Sequence, residues 1–114
     1  MARFKEQPIK MVRGTTGVIN VTVYGDDGSP YALKDGDKLI LGVKTSLDSS
    51  DCCIKKVITE GSGEYAFRIA PEDTANLTCG QLRYDVGLQT GSDYFTIIPC
   101  SPFILTHNVT SKEA

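Results

Sequence analysis

Two stretches of apolar/polar alternation, separated by a proline-led break, constrain this chain more than any other feature of its sequence. Tyr65, Phe67 and Ile69 alternate with Ala66 and Arg68, and Leu82, Tyr84, Val86 and Leu88 alternate with Arg83, Asp85 and Gly87. Successive side chains of an extended backbone point to opposite faces, so each stretch predicts a strand with one face on a core and one in water. Between them, Pro71 presets φ where no N–H donor is needed, and Glu72 and Asp73 suit the positive end of a helix. Residues 71–77 therefore read as a short helical segment, and Gly80 releases the chain into the next strand. A strand, one helical turn and a strand of the opposite sheet make a crossover. Residues 9–12, 18–24 and 39–43 continue the strand pattern, and residues 52–59 form a weaker, mixed one. The stretches GDDGSP at 25–30 and KDGD at 34–37 are turns by composition. No segment of ten or more residues carries a helical apolar stripe. The expected fold is all-β, an antiparallel β-sandwich of about seven or eight strands with one short helical turn. Residues 1–114 read as a single domain, with 1–7 and 108–114 as flexible tails.

Charge and composition exclude several function classes. Twelve basic residues against fourteen acidic ones leave a formal charge of −2, and the basic residues nowhere cluster beyond the pair Lys55 and Lys56. The electrostatic footprint of nucleic-acid binding is missing. The longest apolar run, residues 39–43, is too short to cross a bilayer, so no membrane insertion is expected. Charges at Arg3, Lys5 and Glu6 fall where a secretory leader needs apolar residues, and synthesis in a cytoplasm is the expectation. Without a secretion route, the Asn-X-Thr triplets at Asn20, Asn76 and Asn108 are chance occurrences.

No catalytic residues, metal site or cofactor are expected. His107 is the sole histidine, with no nucleophile at a recognisable spacing. Asp26, Asp27, Asp35 and Asp37 offer the oxygens calcium needs, but they lack an EF-hand pattern and suit ordinary turn chemistry. Gly14 and Gly17 are followed by no Gly-Lys-Ser/Thr, so they form no phosphate loop. Cys52 and Cys53 are adjacent, and a bond between them would be strained. Cys79 and Cys100 stand in loop-like settings where pairing in space stays open, against four reduced thiols as the simpler reading.

Glu72-Asp73-Thr74-Ala75 matches a turn of antibody variable domains, but the chain has no tryptophan and Cys52 and Cys53 lie too close to Cys79 for the inter-sheet disulfide. A second resemblance covers most of the chain. Arg13-Gly14-Thr15-Thr16 follows a first strand, Asp27-Gly28-Ser29-Pro30-Tyr31-Ala32-Leu33 forms a turn, residues 39–44 a strand, residues 64–88 the strand–turn–strand block, and Phe103-Ile104-Leu105-Thr106 a last strand. In order and spacing these blocks resemble the small N-terminal domain of upper baseplate proteins of phages infecting Gram-positive bacteria, and related prophage tail modules. Thr15 replaces the loop aspartate of that family, and Leu82 an aromatic. The resemblance implies an immunoglobulin-like sandwich that is a non-enzymatic structural part of a virion. Its partners would be other virion structural proteins, and its location the virion, after synthesis in the bacterial cytoplasm. A carbohydrate-binding or adhesive module contacting the host envelope is the alternative class.

The C-terminal strands are apolar on both faces, which singles out an interface. Phe95 and Ile97 alternate with Tyr94 and Ile98, and Phe103 and Leu105 flank Ile104. Either the chain curls at Pro99 and Pro102 and buries both faces within one domain, or Tyr94, Ile98, Phe103 and Ile104 form an exposed apolar patch. Such a patch would make a homo-oligomer through an edge strand.

Overall fold

The computed structural model describes residues 7–46 and 51–110. The tails expected at 1–7 and 108–114 lie largely outside these residues, but Gln7 is inside them and is tied down. Its N–H donates to Ser101 Oγ at 3.1 Å and its carbonyl accepts from the Tyr84 hydroxyl.

The chain is all-β, with seven strands and one helical turn among the described residues. In order they are β1 (Ile9–Val12), β2 (Gly17–Thr22), β3 (Lys38–Lys44), β4 (Ile54–Ile58), β5 (Glu64–Ile69), α1 (Pro71–Thr74), β6 (Gly80–Thr90) and β7 (Asp93–Thr106). Five strands form one sheet in the order β1-β7-β6-β3-β4, and β2 and β5 form a second. All pairs are antiparallel except β1 with β7, which run parallel with Ile9 opposite Phe103 and Val12 opposite Thr106.

The alternation read from sequence places the core. Val21, Leu41, Val43, Tyr65, Phe67, Ile69, Tyr84, Val86 and Leu88 are all buried in one apolar cluster that draws on both sheets. Burying each such side chain is worth about 1.5–3 kcal/mol, so this cluster is the main source of stability. Tyr84 and Phe103 meet edge to face within it, ring centroids 6.2 Å apart.

The crossover from β5 to β6 passes between the sheets as expected, but its helix is shorter, closing at Thr74 with a further turn that bonds Leu77 N to Thr74 O. Asp73 caps it, accepting from Ala70 N at 2.7 Å and pairing with Lys56 of β4 at 2.8 Å. The loop after β1 clamps onto the same turn. Gly14 N donates to the buried Thr74 Oγ1 at 2.8 Å, and the Arg13 guanidinium donates to Leu77 O at 3.2 Å.

The C-terminal region differs from the expectation of two strands: β7 is continuous through Pro99 and Pro102. Opposite β6, its register slips between Tyr84/Ser101 and Val86/Ile98, and again between Val86/Ile98 and Gly87/Thr96. Bulges at these slips let the strand bend without ending. Proline is tolerated because β1 begins pairing only at Phe103, so that neither Pro99 nor Pro102 sits within the β1 ladder.

Candidate docking surface

The four residues expected at an interface are divided by the fold. Ile98 is 2% exposed and Phe103 fully buried, both packed in the core, so the expectation that they face a partner is corrected for these two. The reason is a phase shift: the bulge between Ile98 and Ser101 moves the inward positions from the even-numbered Ile98 to the odd-numbered Ser101, Phe103 and Leu105. Ile104 keeps the outward phase, half-buried between Lys10 of β1 and Gln81 of β6. Tyr94 is 57% exposed, and Phe95 beside it is also exposed.

Around Tyr94 the outer face of the five-stranded sheet has a built shape. Gly42 and Gly87 occupy outward positions on β3 and β6, and neighbouring side chains lie over both. A Cβ on Gly87 would fall within 1.9 Å of the Tyr94 hydroxyl, so the ring lies directly across that glycine. Over Gly42 sits the Cys52 thiol, with Asp85 of β6 directly opposite in register. Loss of water raises the Asp85 pKa, opposed by the Lys44 ammonium, and loss of water likewise raises that of the Tyr94 phenol, with the Asp85 charge adding to it. Gly42, Lys44, Cys52, Arg83, Asp85 and Cys100 border a depression of about 140 Å³. That is below the roughly 300 Å³ at which ligand pockets begin, so the face suits a surface contact better than an engulfed small molecule. Farther along the face, Ile40 and the exposed Val57 stand opposite each other across β3 and β4. The glycines at outward phases of otherwise regular alternation were the available sequence signal for this shape.

Two of the four turn aspartates, Asp27 and Asp37, serve the fold. Asp27 accepts from the Ser29 N–H at 3.0 Å and the Ser29 hydroxyl at 2.6 Å inside its own turn. Asp37 is buried in a different turn and accepts from Tyr31 Oη at 2.8 Å and Lys34 N at 3.0 Å. His107 is exposed just beyond β7. All four cysteines are free thiols, with Cys52, Cys53 and Cys100 exposed and Cys79 half-buried. Among the described residues, no group of three or more His, Cys, Asp or Glu is gathered for a metal, and no helix is long and apolar enough to cross a membrane. Compared with known proteins, the chain matches no family model and no curated protein.

Proposed function

We propose that this chain is a non-enzymatic structural component of a phage or prophage virion, in the tail or baseplate region. It would act by protein–protein docking and oligomerisation through an immunoglobulin-like sandwich. The observation that carries this reading is the joining of two blocks on which the resemblance rests. The Arg13-Gly14 loop and the Pro71–Leu77 turn are 60 residues apart in sequence at the Gly14–Thr74 contact, yet they close on each other through two hydrogen bonds. Blocks that belong to one structural unit are what a shared domain requires, whereas unrelated turn motifs need not touch. The outward Tyr94, Ile104 and Val57 supply apolar area for docking on the five-stranded sheet.

The test is the composition of particles purified from a producing strain. The expected result is this chain in a fixed ratio to the other tail proteins, in intact particles and in isolated tails. Its absence from particles of a strain that expresses it would overturn the reading.

Exposed rings at Tyr24 and Tyr94 favour the carbohydrate-binding alternative, since sugars stack on such faces. Phe95 follows Tyr94 directly in the strand and so points to the other face, which denies the pair a common platform. Binding on a glycan array that disappears in Tyr94→Ala would decide for this alternative.

A further inference from the structure

We propose that Cys52 and Cys100 form a dithiol site on the outer face of the five-stranded sheet, which reacts with a small anionic disulfide and is left as a Cys52–Cys100 bridge. This inference is independent of the virion reading.

The fold makes the pair, and Asp85 of β6 marks its place. On one side Asp85 stands opposite Gly42 of β3, and the Cys52 thiol lies over that glycine, 3.0 Å from where a Cβ would be. The Asp85 carboxylate lies 3.9 Å from the same point. On the other side Asp85 falls in the register slip between Tyr84/Ser101 and Val86/Ile98, so that Pro99 and Cys100 both oppose it. Ser101 is buried on the core side and Cys100 is exposed, so the Cys100 thiol emerges on the face where Cys52 lies. The two thiols border one depression from opposite sides of β6.

Position excludes the other two cysteines. Cys53 adjoins Cys52, where a bond would be strained, and its Sγ is turned to the Val43 carbonyl at 3.3 Å. Cys79 precedes Gly80, which stands opposite Leu105, so at least five residues of β7, about 16 Å, part it from Cys100. Closing the Cys52–Cys100 bridge needs one movement. The backbones of β3 and β7 are two strand spacings apart, about 10 Å, so Cys52 has to shift toward β6. Its place in the chain permits this. The bonds of the β3–β4 hairpin begin at Cys53 N, which donates to Val43 O at 2.8 Å, and Cys52 stands just outside them.

The lining selects the reagent. Lys44 and Arg83 border the depression against the single carboxylate of Asp85, so its net charge is positive and draws an anion. Oxidised glutathione is such an anion, and only its sulfurs need to reach, which a shallow depression allows. One cysteine, having lost its proton to water, attacks a glutathione sulfur; the S–S bond breaks and one glutathione leaves as thiolate and takes up a proton. The second cysteine attacks the mixed disulfide in the same way, forming the Cys52–Cys100 bond and releasing the second glutathione. The two cysteines give up two electrons and two protons, and the small disulfide is reduced to two thiols.

Mass spectrometry of the reduced, folded full chain, exposed to oxidised glutathione at neutral pH and quenched with acid, tests this. Wild type is expected to lose two hydrogens, to retain no glutathione, and to yield a peptide that joins Cys100 to the Cys52–Cys53 segment. In Cys52→Ser and in Cys100→Ser the remaining thiol has no partner to displace its glutathione, so the mixed disulfide should persist at least about tenfold longer than in wild type. Cys53→Ser and Cys79→Ser should close the bridge within about twofold of the wild-type rate, and Cys53→Ser identifies which of the adjacent pair is used. In urea the preference for this pair should be lost, because the fold brings it together. A wild-type chain that does not react, or that accumulates only glutathione adducts, would overturn the proposal. So would a bridge that survives Cys52→Ser or Cys100→Ser, or the same preference in urea.

Discussion

Asp37 occupies a turn in sequence and the interior in space, 3% exposed at the end of KDGD. The Lys34 N–H and then the Tyr31 hydroxyl hold its carboxyl below the ordinary value of 3.8. A pKa lowered by folding adds stability that is complete above the unfolded value and is lost as pH falls through the folded one. Asp37→Asn is expected to lower the urea midpoint at pH 7, and the gap to wild type should close as pH drops below about 4. Ile98 and Tyr94, four residues apart in one strand, differ for a related reason. A charge at Ile98 enters the core unpaired, so Ile98→Asp should cost roughly 3–5 kcal/mol, whereas Tyr94→Ala, which only uncovers Gly87 on the outer face, should cost about 1 kcal/mol. Equilibrium denaturation separates the two, and Tyr94→Ala is the variant to use when probing docking with the core left intact.

At the scale of elements, α1 is four residues long and owes its place to contacts rather than to propensity. Thr74 is fully buried and its hydroxyl takes the Gly14 N–H. Thr74→Val keeps the shape and removes the acceptor, leaving that N–H without its partner. The expected loss is about 1–2 kcal/mol, read as a shifted denaturant midpoint with an unchanged slope. The proline and the two acids made this turn legible in sequence. Its partners were not, because nothing local in Arg13-Gly14 says which distant backbone it will meet. For β7 the local signals misled in part: two prolines read as strand breaks, but on a strand open along part of one edge they remove only donors that no described strand needs.

For the molecule as a whole, the Tyr84 hydroxyl joins the middle of the larger sheet to the chain's entry at Gln7. Burial pushes its pKa up to about 12 from 10.0. A pKa raised by folding adds stability that is present below the unfolded value and is lost as pH rises through the folded one. Thermal melts should therefore fall steeply between pH 10 and 12, and Tyr84→Phe should flatten part of that slope. The remainder belongs to Tyr31 and Tyr94, whose pKa values are also raised.

Sequence alone determined the strand class, the crossover and the nine core positions, because side-chain direction in an extended chain depends only on residue parity, which hydrophobic alternation displays. It also located the apolar surplus of residues 94–105, without assigning it to faces. Tertiary structure decided that assignment, since each bulge inserts a residue and inverts parity for everything beyond it, carrying Ile98 and Phe103 into the same core. It likewise decided the parallel seat of β1 on β7, because pairing between strands more than ninety residues apart is set by which surfaces bury each other, not by any local pattern.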